Sequence, residues 1–218
     1  MKIYGALASP FVARAVLFAK LKGIDLEMVP ARPGTDEFKA VNPIGKIPAF
    51  ETDDGNWIAE SEVICEYLED ISPEPSGLPA DALGRAQSRE ISRIVDLYLS
   101  PAAAKFARQV NPETRDAAIV AEASADLEKS MRYLEHFMGD GPFAVGDKPT
   151  LGDCTLAPYM QMVKILVYAN FDELQDPTLT DGRLKVWWDA IQAHDVCQPF
   201  VEEYGVAFDQ MMAYFRKA

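Results

Sequence analysis

The residues best placed by type and spacing to do chemistry lie in the first third of the chain. Ser9-Pro10-Phe11 follows a short apolar run, Lys2-Ile-Tyr-Gly5, and precedes a helical pattern with Val12, Val16 and Ala19 on one face. Serine as N-cap and proline at the first helical position put a hydroxyl beside unpaired N–H groups at the positive end of a helix, which suits an anion. Ser-Pro also starts helices that bind nothing. Asn42-Pro-Ile-Gly-Lys-Ile-Pro-Ala-Phe50 carries a second oddity, Pro48 at the mouth of a strand. A cis Ile47–Pro48 bond there would turn the chain and leave the Ile47 N–H and C=O open to an extended peptide ligand; an ordinary edge strand is the plainer alternative. Ala59-Glu60-Ser61-Glu62 opens another helical run. The N–H of Ser61 could take a carboxylate and Glu60 an ammonium, together the two charged groups of an α-amino acid. An acidic helix start that merely complements the dipole explains the same residues.

Other chemistries find no residues. The two histidines, His136 and His194, have no cysteine or acid at metal-ligand spacing, so no metal is expected. GxSxG, GxGxxG and the Walker A pattern are absent, which removes a hydrolase elbow and nucleotide cofactors. Acidic residues outnumber basic ones 34 to 21, a net charge of −13, and no basic patch interrupts them. Phosphate backbones repel such a chain, so nucleic acid is not an expected partner. Three well-separated cysteines, Cys65, Cys154 and Cys197, point to a reducing, cytoplasmic compartment. The uncharged stretch from Ile3 to Ala13 contains Pro10 and lacks a small-residue cleavage pattern, so it reads as neither leader nor membrane span.

Elements must position these residues. Strand, helix to about Lys22 with Gly23 as its stop, strand over Ile24–Val29, short helix over Thr35–Ala40, hairpin strands at Ile47–Glu51 and Trp57–Ile58 around Asp53-Asp54-Gly55, and helix from Ser61 to Asp70 give the order β-α-β-α-β-β-α. That order implies a partly parallel sheet with helices packed on it. The proline-rich Ser72-Pro-Glu-Pro-Ser-Gly-Leu-Pro79 then breaks the pattern, giving domains 1–72 and 85–218 with a connection over 73–84. Beyond it every pattern is helical. Leu83, Ala86, Ile91, Ile94, Val95, Tyr98 and Ala102 suit one long amphipathic helix, and Asn111-Pro112 reads as the start of the next. Val120, Ala123, Leu127, Met131, Leu134 and Met138 continue that helix, and Thr150-Leu-Gly-Asp153 caps another. Two more are expected near Leu184–His194 and Pro199–Phe215. The whole is a small α/β domain joined to an all-helical one, and 49% apolar residues with 11 Phe, 8 Tyr and 3 Trp suffice for a large core.

Taken in order and spacing, Ser9-Pro-Phe-Val-Ala-Arg14, Asn42 to Phe50, Glu60-Ser61 before Glu66-Tyr-Leu-Glu69, the proline-rich connection and Thr150 to Asp153 resemble a cytosolic glutathione S-transferase over nearly the whole length. The resemblance implies a thioredoxin-like α/β N-terminal domain, an all-α C-terminal domain, and a homodimer in which each first domain packs on its partner's second. It implies that Ser9 donates its hydroxyl proton to the glutathione sulfur and that the Ile47 backbone, next to cis-Pro48, pairs with the cysteinyl moiety. Glu60 and Ser61 would hold the γ-glutamyl end, and Lys46 would reach a carboxylate. Glutathione is then a co-substrate whose thiolate attacks a small, mostly apolar electrophile in a pocket near Phe11, Tyr98 and Phe106. Ser9 cannot form the mixed disulfide open to relatives with cysteine at that position. Dehalogenation, ether cleavage, cis–trans isomerisation and peroxide reduction all remain open, as does a non-catalytic binding protein of the same fold.

Overall fold

The structure is a computed structural model and describes residues 1–217. The first part contains β1 (Lys2–Gly5), α1 (Pro10–Leu21), β2 (Glu27–Pro30), α2 (Asp36–Val41), β3 (Ala49–Glu51), β4 (Trp57–Ala59) and α3 (Ser61–Ile71), in the expected order. The sheet runs β2-β1-β3-β4, with β1 and β2 parallel and the other pairs antiparallel. Ile3 and Phe50 face each other across β1 and β3 and are both fully buried on the side that α1 and α3 cover. Strand β2 begins later than Ile24, and the helix before it is the reason. The Gly23 and Ile24 N–H groups close α1 by bonding to the Lys20 and Ala19 carbonyls, with Gly23 at φ +69°. That C-terminal cap consumes Ile24 before any strand can form.

A half-buried carboxylate ties the connection down. Glu69 of α3 accepts from Lys22 Nζ at 2.6 Å, the Gly77 N–H at 2.9 Å and the Ser76 hydroxyl at 2.8 Å. The connection also docks on the second part, where the Leu151 N–H bonds to the Gly77 carbonyl.

The second part contains α4 (Ala82–Ile94), a π turn (Val95–Leu99), α5 (Ser100–Phe106), α6 (Ala117–Phe137), α7 (Leu151–Val163), a second π turn (Lys164–Tyr168), α8 (Arg183–Ala193) and α9 (Cys197–Lys217). Helix α4 thus starts inside the expected 73–84 connection, capped by Asp81, whose carboxylate accepts from the Gly84 N–H. The α6 face of Val120, Ala123, Leu127, Met131, Leu134 and Met138 is buried throughout. Its start is a correction: Asn111 accepts from the Glu113 N–H in an isolated turn, and Asp116, accepting from the Ala118 N–H, is the true cap.

The long helix buries Ile91, Ile94, Val95 and Ala102 of its predicted apolar face, but its first turns and Tyr98 depart from it. Leu83, Ala86 and Tyr98 are exposed, whereas Gly84, Ser88 and Ser92 are buried. The Ser88 hydroxyl donates to Thr150 Oγ1 and accepts from the Gly152 N–H, and Ser92 pairs with Thr155 at 2.8 Å. Small residues let α4 and α7 approach closely, and the paired hydroxyls remove the cost of burying them. Asp153 completes the predicted capping box by accepting from the Thr150 N–H and hydroxyl, and it also accepts from Trp187 Nε1 and the Ala144 N–H.

Candidate active site

Ser9 caps α1 with its backbone alone. Its φ and ψ of −80° and 124° are extended, its carbonyl accepts from the Ala13 N–H, and its side chain makes no capping hydrogen bond. The hydroxyl is therefore available to something other than the helix, beside the N–H groups of the first turn. Helix α1 is a rigid support, since Val12 to Ala19 are all buried.

The second segment is held by Asn42, which is itself buried. Its Nδ2 donates to the Lys46 carbonyl at 2.7 Å, its Oδ1 accepts from the Ile44 N–H, and its carbonyl accepts from the Gly45 N–H. These bonds shape the loop that presents Lys46, exposed, and Ile47, half-buried. The Ile47–Pro48 bond is cis. Among the described residues the Ile47 backbone makes no hydrogen bond, so an N–H and a C=O stand ready for an extended ligand.

The third segment contains the one non-glycine residue with positive φ among the described residues, Glu60, at φ 68° and ψ 114°. Such a conformation costs about 1–3 kcal/mol and persists where it aims a group. Glu60 is the N-cap of α3, its carbonyl accepting from the Ile64 N–H, and Ser61 follows as the buried first helical residue.

Phe11, Asn42, Ile44, Lys46, Ile47, Pro48, Glu60 and Ser61 line one cavity of about 120 Å³. Lys46, Ile47, Pro48, Glu60 and Ser61, predicted separately, therefore converge. Ser9 is not in that lining but sits at the helix start whose next residues, Pro10 and Phe11, border it or its neighbour. The neighbour is a cavity of about 510 Å³ between Pro10 and Phe11 of α1, Ser100 and Ala104 of α5, Tyr159 and Met162 of α7, and Phe208 and Met211 of α9. Phe11 lines both cavities and stands edge-on to Tyr159, ring centroids 5.6 Å apart.

Tyr98 and Phe106 do not line this second cavity. Phe106 is fully buried against Phe171, and Tyr98 lies on the surface against Tyr133. Within the π turn Leu99, not Tyr98, follows Val95 inward. The lining instead includes Tyr159, Met162 and Leu166 of α7 and the turn that continues it, Met211 of α9, and Arg108 of the turn after α5, segments far apart in sequence. Tyr159 donates to the Ser100 hydroxyl, and burial pushes its phenol above the usual range.

Beneath both cavities lies a buried charge cluster. The Arg14 guanidinium, 1% exposed, binds Asp96 of the first π turn through both terminal nitrogens, lies 3.7 Å from Glu62, and sits 5.7 Å from the Phe11 ring centre. Burial alone lowers an arginine's pKa, but the Asp96 carboxylate outweighs it and holds Arg14 above its ordinary value. Burial pushes Glu62 up. No group of His, Cys, Asp and Glu among the described residues could hold a metal, and no described helix is long and apolar enough to cross a membrane.

The model of the glutathione S-transferase N-terminal domain matches residues 8–71, and that of its C-terminal domain matches 97–194. The chain belongs to the glutathione S-transferase family. It is 31% identical over 191 residues to the zeta-class glutathione S-transferase of Euphorbia esula, covering 82% of each chain. It is 32% identical over 166 residues to the maleylacetoacetate isomerase of Rattus norvegicus, covering 72% of this chain and 74% of that one. A bacterial maleyl pyruvate isomerase described as a zeta-class glutathione S-transferase superposes with a TM-score of 0.73 at 27% identity, covering 92% of this chain and 96% of that one. The four-stranded sheet with its helices is the family's thioredoxin-like domain, and the helical remainder is its C-terminal domain.

Proposed function

We propose that the chain binds glutathione in the cavity between α1, the Asn42–Pro48 loop and α3, and that the Ser9 hydroxyl stabilises its thiolate. The observation that carries this is the convergence of Lys46, the open Ile47 backbone, Glu60 and Ser61 on one cavity beside the uncommitted Ser9 hydroxyl. The Ser61 N–H and hydroxyl hold the γ-glutamyl carboxylate, Glu60 holds its ammonium, Ile47 pairs with the cysteinyl amide, and Lys46 reaches the glycyl carboxylate. Each match is of charge to charge or donor to acceptor.

A free thiol of pKa ~8.5 is only a few per cent ionised at pH 7. Lowering it by ~2 units takes ~2.7 kcal/mol of preferential binding to the thiolate. One charge-assisted hydrogen bond of ~1.5–3 kcal/mol from Ser9, with the α1 N-terminus adding ~0.3–1, is of that size. The thiolate then attacks an electrophilic carbon held in the apolar cavity beyond Phe11. In substitution, the carbon–sulfur bond forms as the leaving group departs with its electron pair. In isomerisation, the sulfur adds to an activated double bond, the carbon–carbon bond rotates, and the same thiolate is expelled, so glutathione is returned. The names of the zeta-class and isomerase relatives favour including this second course. The protein acts in the cytoplasm as a homodimer, in keeping with three free, buried cysteines and with Val63 and Leu97 exposed on the single chain.

Titrating the purified protein with glutathione while following thiolate absorbance from pH 5 to 9 tests this. Saturable binding with ionisation about 2 units below the free thiol is the expected result. Binding without that shift leaves a glutathione-binding protein whose Ser9 only starts a helix, and no binding at millimolar glutathione removes the proposal.

A further inference from the structure

Resting on that transferase reading, we propose that the electrophile carries an acceptor oxygen conjugated to the carbon under attack, and that Ser100 is the catalytic residue whose hydroxyl binds this oxygen as negative charge develops on it. Ser100 lines the cavity of about 510 Å³ that Pro10 and Phe11 of α1 border. Among the described residues, only Tyr159 and Arg108 bring other polar side chains to that lining, and Arg108 belongs to an exposed turn. Tyr159 is 1% exposed and donates to Ser100 Oγ at 3.0 Å, which leaves its one proton committed. Burial holds that phenol in its protonated form, so it stays a donor.

Ser100 accepts the bond from Tyr159 and keeps its own proton. Other serines of the helical domain show the contrast. Ser124 and Ser130 of α6 donate to the carbonyls four residues back, and Ser92 is paired with Thr155. The Ser100 hydroxyl donates to no group among the described residues. The backbone is also out of α-helical register here. Pro101 has no N–H and its ring crowds the carbonyl four residues back, and the chain widens ahead of it into the π turn Val95–Leu99. The Ser100 N–H accordingly bonds to the Val95 carbonyl, five residues back. A hydroxyl that accepts from a phenol is the stronger donor for it, because the two bonds polarise each other. Phe11, Met162, Leu166, Phe208 and Met211 make the remaining walls apolar, where a fixed donor is worth more to a developing charge than it is in water.

This donor selects a class of electrophile. When the thiolate adds to the β-carbon of an α,β-unsaturated carbonyl, the sulfur pair makes the carbon–sulfur bond and the double-bond pair moves toward the carbonyl. The enolate oxygen so formed takes the Ser100 hydrogen bond. The proton that the thiol gave to solvent returns to the α-carbon and completes the adduct. Alternatively, the carbon–carbon bond rotates, the pair moves back and the thiolate is expelled, leaving the isomer. An alkyl halide sends its charge away on the halide and offers no oxygen to Ser100. Tyr159 acts through Ser100 and is a positioning residue.

The test compares two electrophiles built on one phenyl ring, 4-phenyl-3-buten-2-one and benzyl chloride, with the full-length protein and after subtraction of the uncatalysed rates. The ratio of kcat/KM for the enone to that for the chloride is expected to fall about 10- to 100-fold in Ser100→Ala. Tyr159→Phe keeps the ring and the Ser100 hydroxyl but removes the polarising bond, and is expected to lower the ratio about 3- to 10-fold. It carries the test alone if Ser100→Ala does not fold. The pKa of the bound thiol, followed by thiolate absorbance, is expected to match wild type in both variants. A ratio unchanged in the folded variants, a thiol pKa that moves with the ratio, or a wild type that binds glutathione but does not accelerate the enone overturns this inference alone. Absence of glutathione binding overturns the transferase reading and this inference with it.

Discussion

At the scale of single residues the site rests on side chains and peptide groups that the fold leaves uncommitted. Ser9→Ala removes the proposed donor to the sulfur but not the backbone cap, because the hydroxyl makes no bond to the helix. The expected outcome is a bound-thiol pKa raised by about 1–2 units and kcat/KM lowered about 10- to 100-fold at pH 7, with glutathione affinity within about threefold. Thiolate absorbance and steady-state rates measure both, and unchanged rates would remove Ser9 from its role. Glu60 presents the opposite bargain. Glycine adopts its φ of 68° without a Cβ clash, so Glu60→Gly is expected to raise stability by about 1 kcal/mol while weakening glutathione binding about tenfold or more. A thermal melt without ligand and a glutathione titration check the two halves separately. A melt that falls would mean that Glu60 is not strained. The sequence shows that an acid and a serine open a helix here; it does not show the backbone conformation of the acid that lines the cavity, because that comes from how α3 is joined to β4.

At the scale of elements, what was legible depended on how local each signal is. The Thr150–Asp153 box, the α6 stripe and the Gly23 stop are set by neighbours within a turn or two, and all are found where the spacing puts them. The inner face of the long helix was legible only in part: Ile91, Ile94, Val95 and Ala102 are buried as their spacing implies, but Gly84, Ser88 and Ser92, which complete it, are passed over by an apolar count. The resemblance put Tyr98 and Phe106 beside the second-substrate pocket, whereas the cavity next to Phe11 is lined by Arg108, Tyr159 and Met211 from three separate segments. Close packing gives the seam a prediction. A Cβ on Gly152 would lie 2.9 Å from the Ser88 carbonyl oxygen and 3.2 Å from Ile91 Cβ. Gly152→Ala therefore forces α4 and α7 apart and is expected to cost about 1–3 kcal/mol in denaturant unfolding; a neutral result would mean that the helices slide freely. The connection gives a pH dependence. Burial alone would raise the Glu69 pKa, but the bonds from Lys22, Gly77 and Ser76 outweigh it and lower it below the unfolded value. The stability it adds is thus complete above the usual carboxylate range and is lost as pH falls through the lowered folded pKa. The stability gap between wild type and Glu69→Gln is expected to shrink from pH 5 to pH 3, and a gap independent of pH would contradict this.

At the scale of the whole molecule, the two domains share one charged seam, and each carries an exposed aliphatic side chain next to it. Arg14 of the first domain is held by Asp96 of the second, and Arg89 of α4 donates to both carboxylate oxygens of Glu66 of α3, so the domains are fixed at the position that puts the cavity of about 510 Å³ beside α1. Flanking that seam are Val63, 52% exposed, on α3 and Leu97, 53% exposed, on the π turn. Val63 neighbours Glu62, and Leu97 neighbours Asp96, the two carboxylates that meet at Arg14. An apolar surface drawn from both domains at their junction is what a second copy would cover when each first domain packs on its partner's second, and a stable pair needs about 1,200–2,000 Å² of such burial. Leu97→Glu is expected to weaken self-association at least about 100-fold, because dimerisation would then bury an unpaired charge. The same change is expected to alter folding stability by no more than about 0.5 kcal/mol, since the side chain is exposed in a single chain. Sedimentation at micromolar concentration separates the two effects from a chemical-denaturation curve run in parallel. Wild type sedimenting as one chain, or Leu97→Glu remaining a dimer, would mean that this surface is not where copies meet. A glutathione titration of a monomeric Leu97→Glu that still folds tells whether assembly serves binding or only stability.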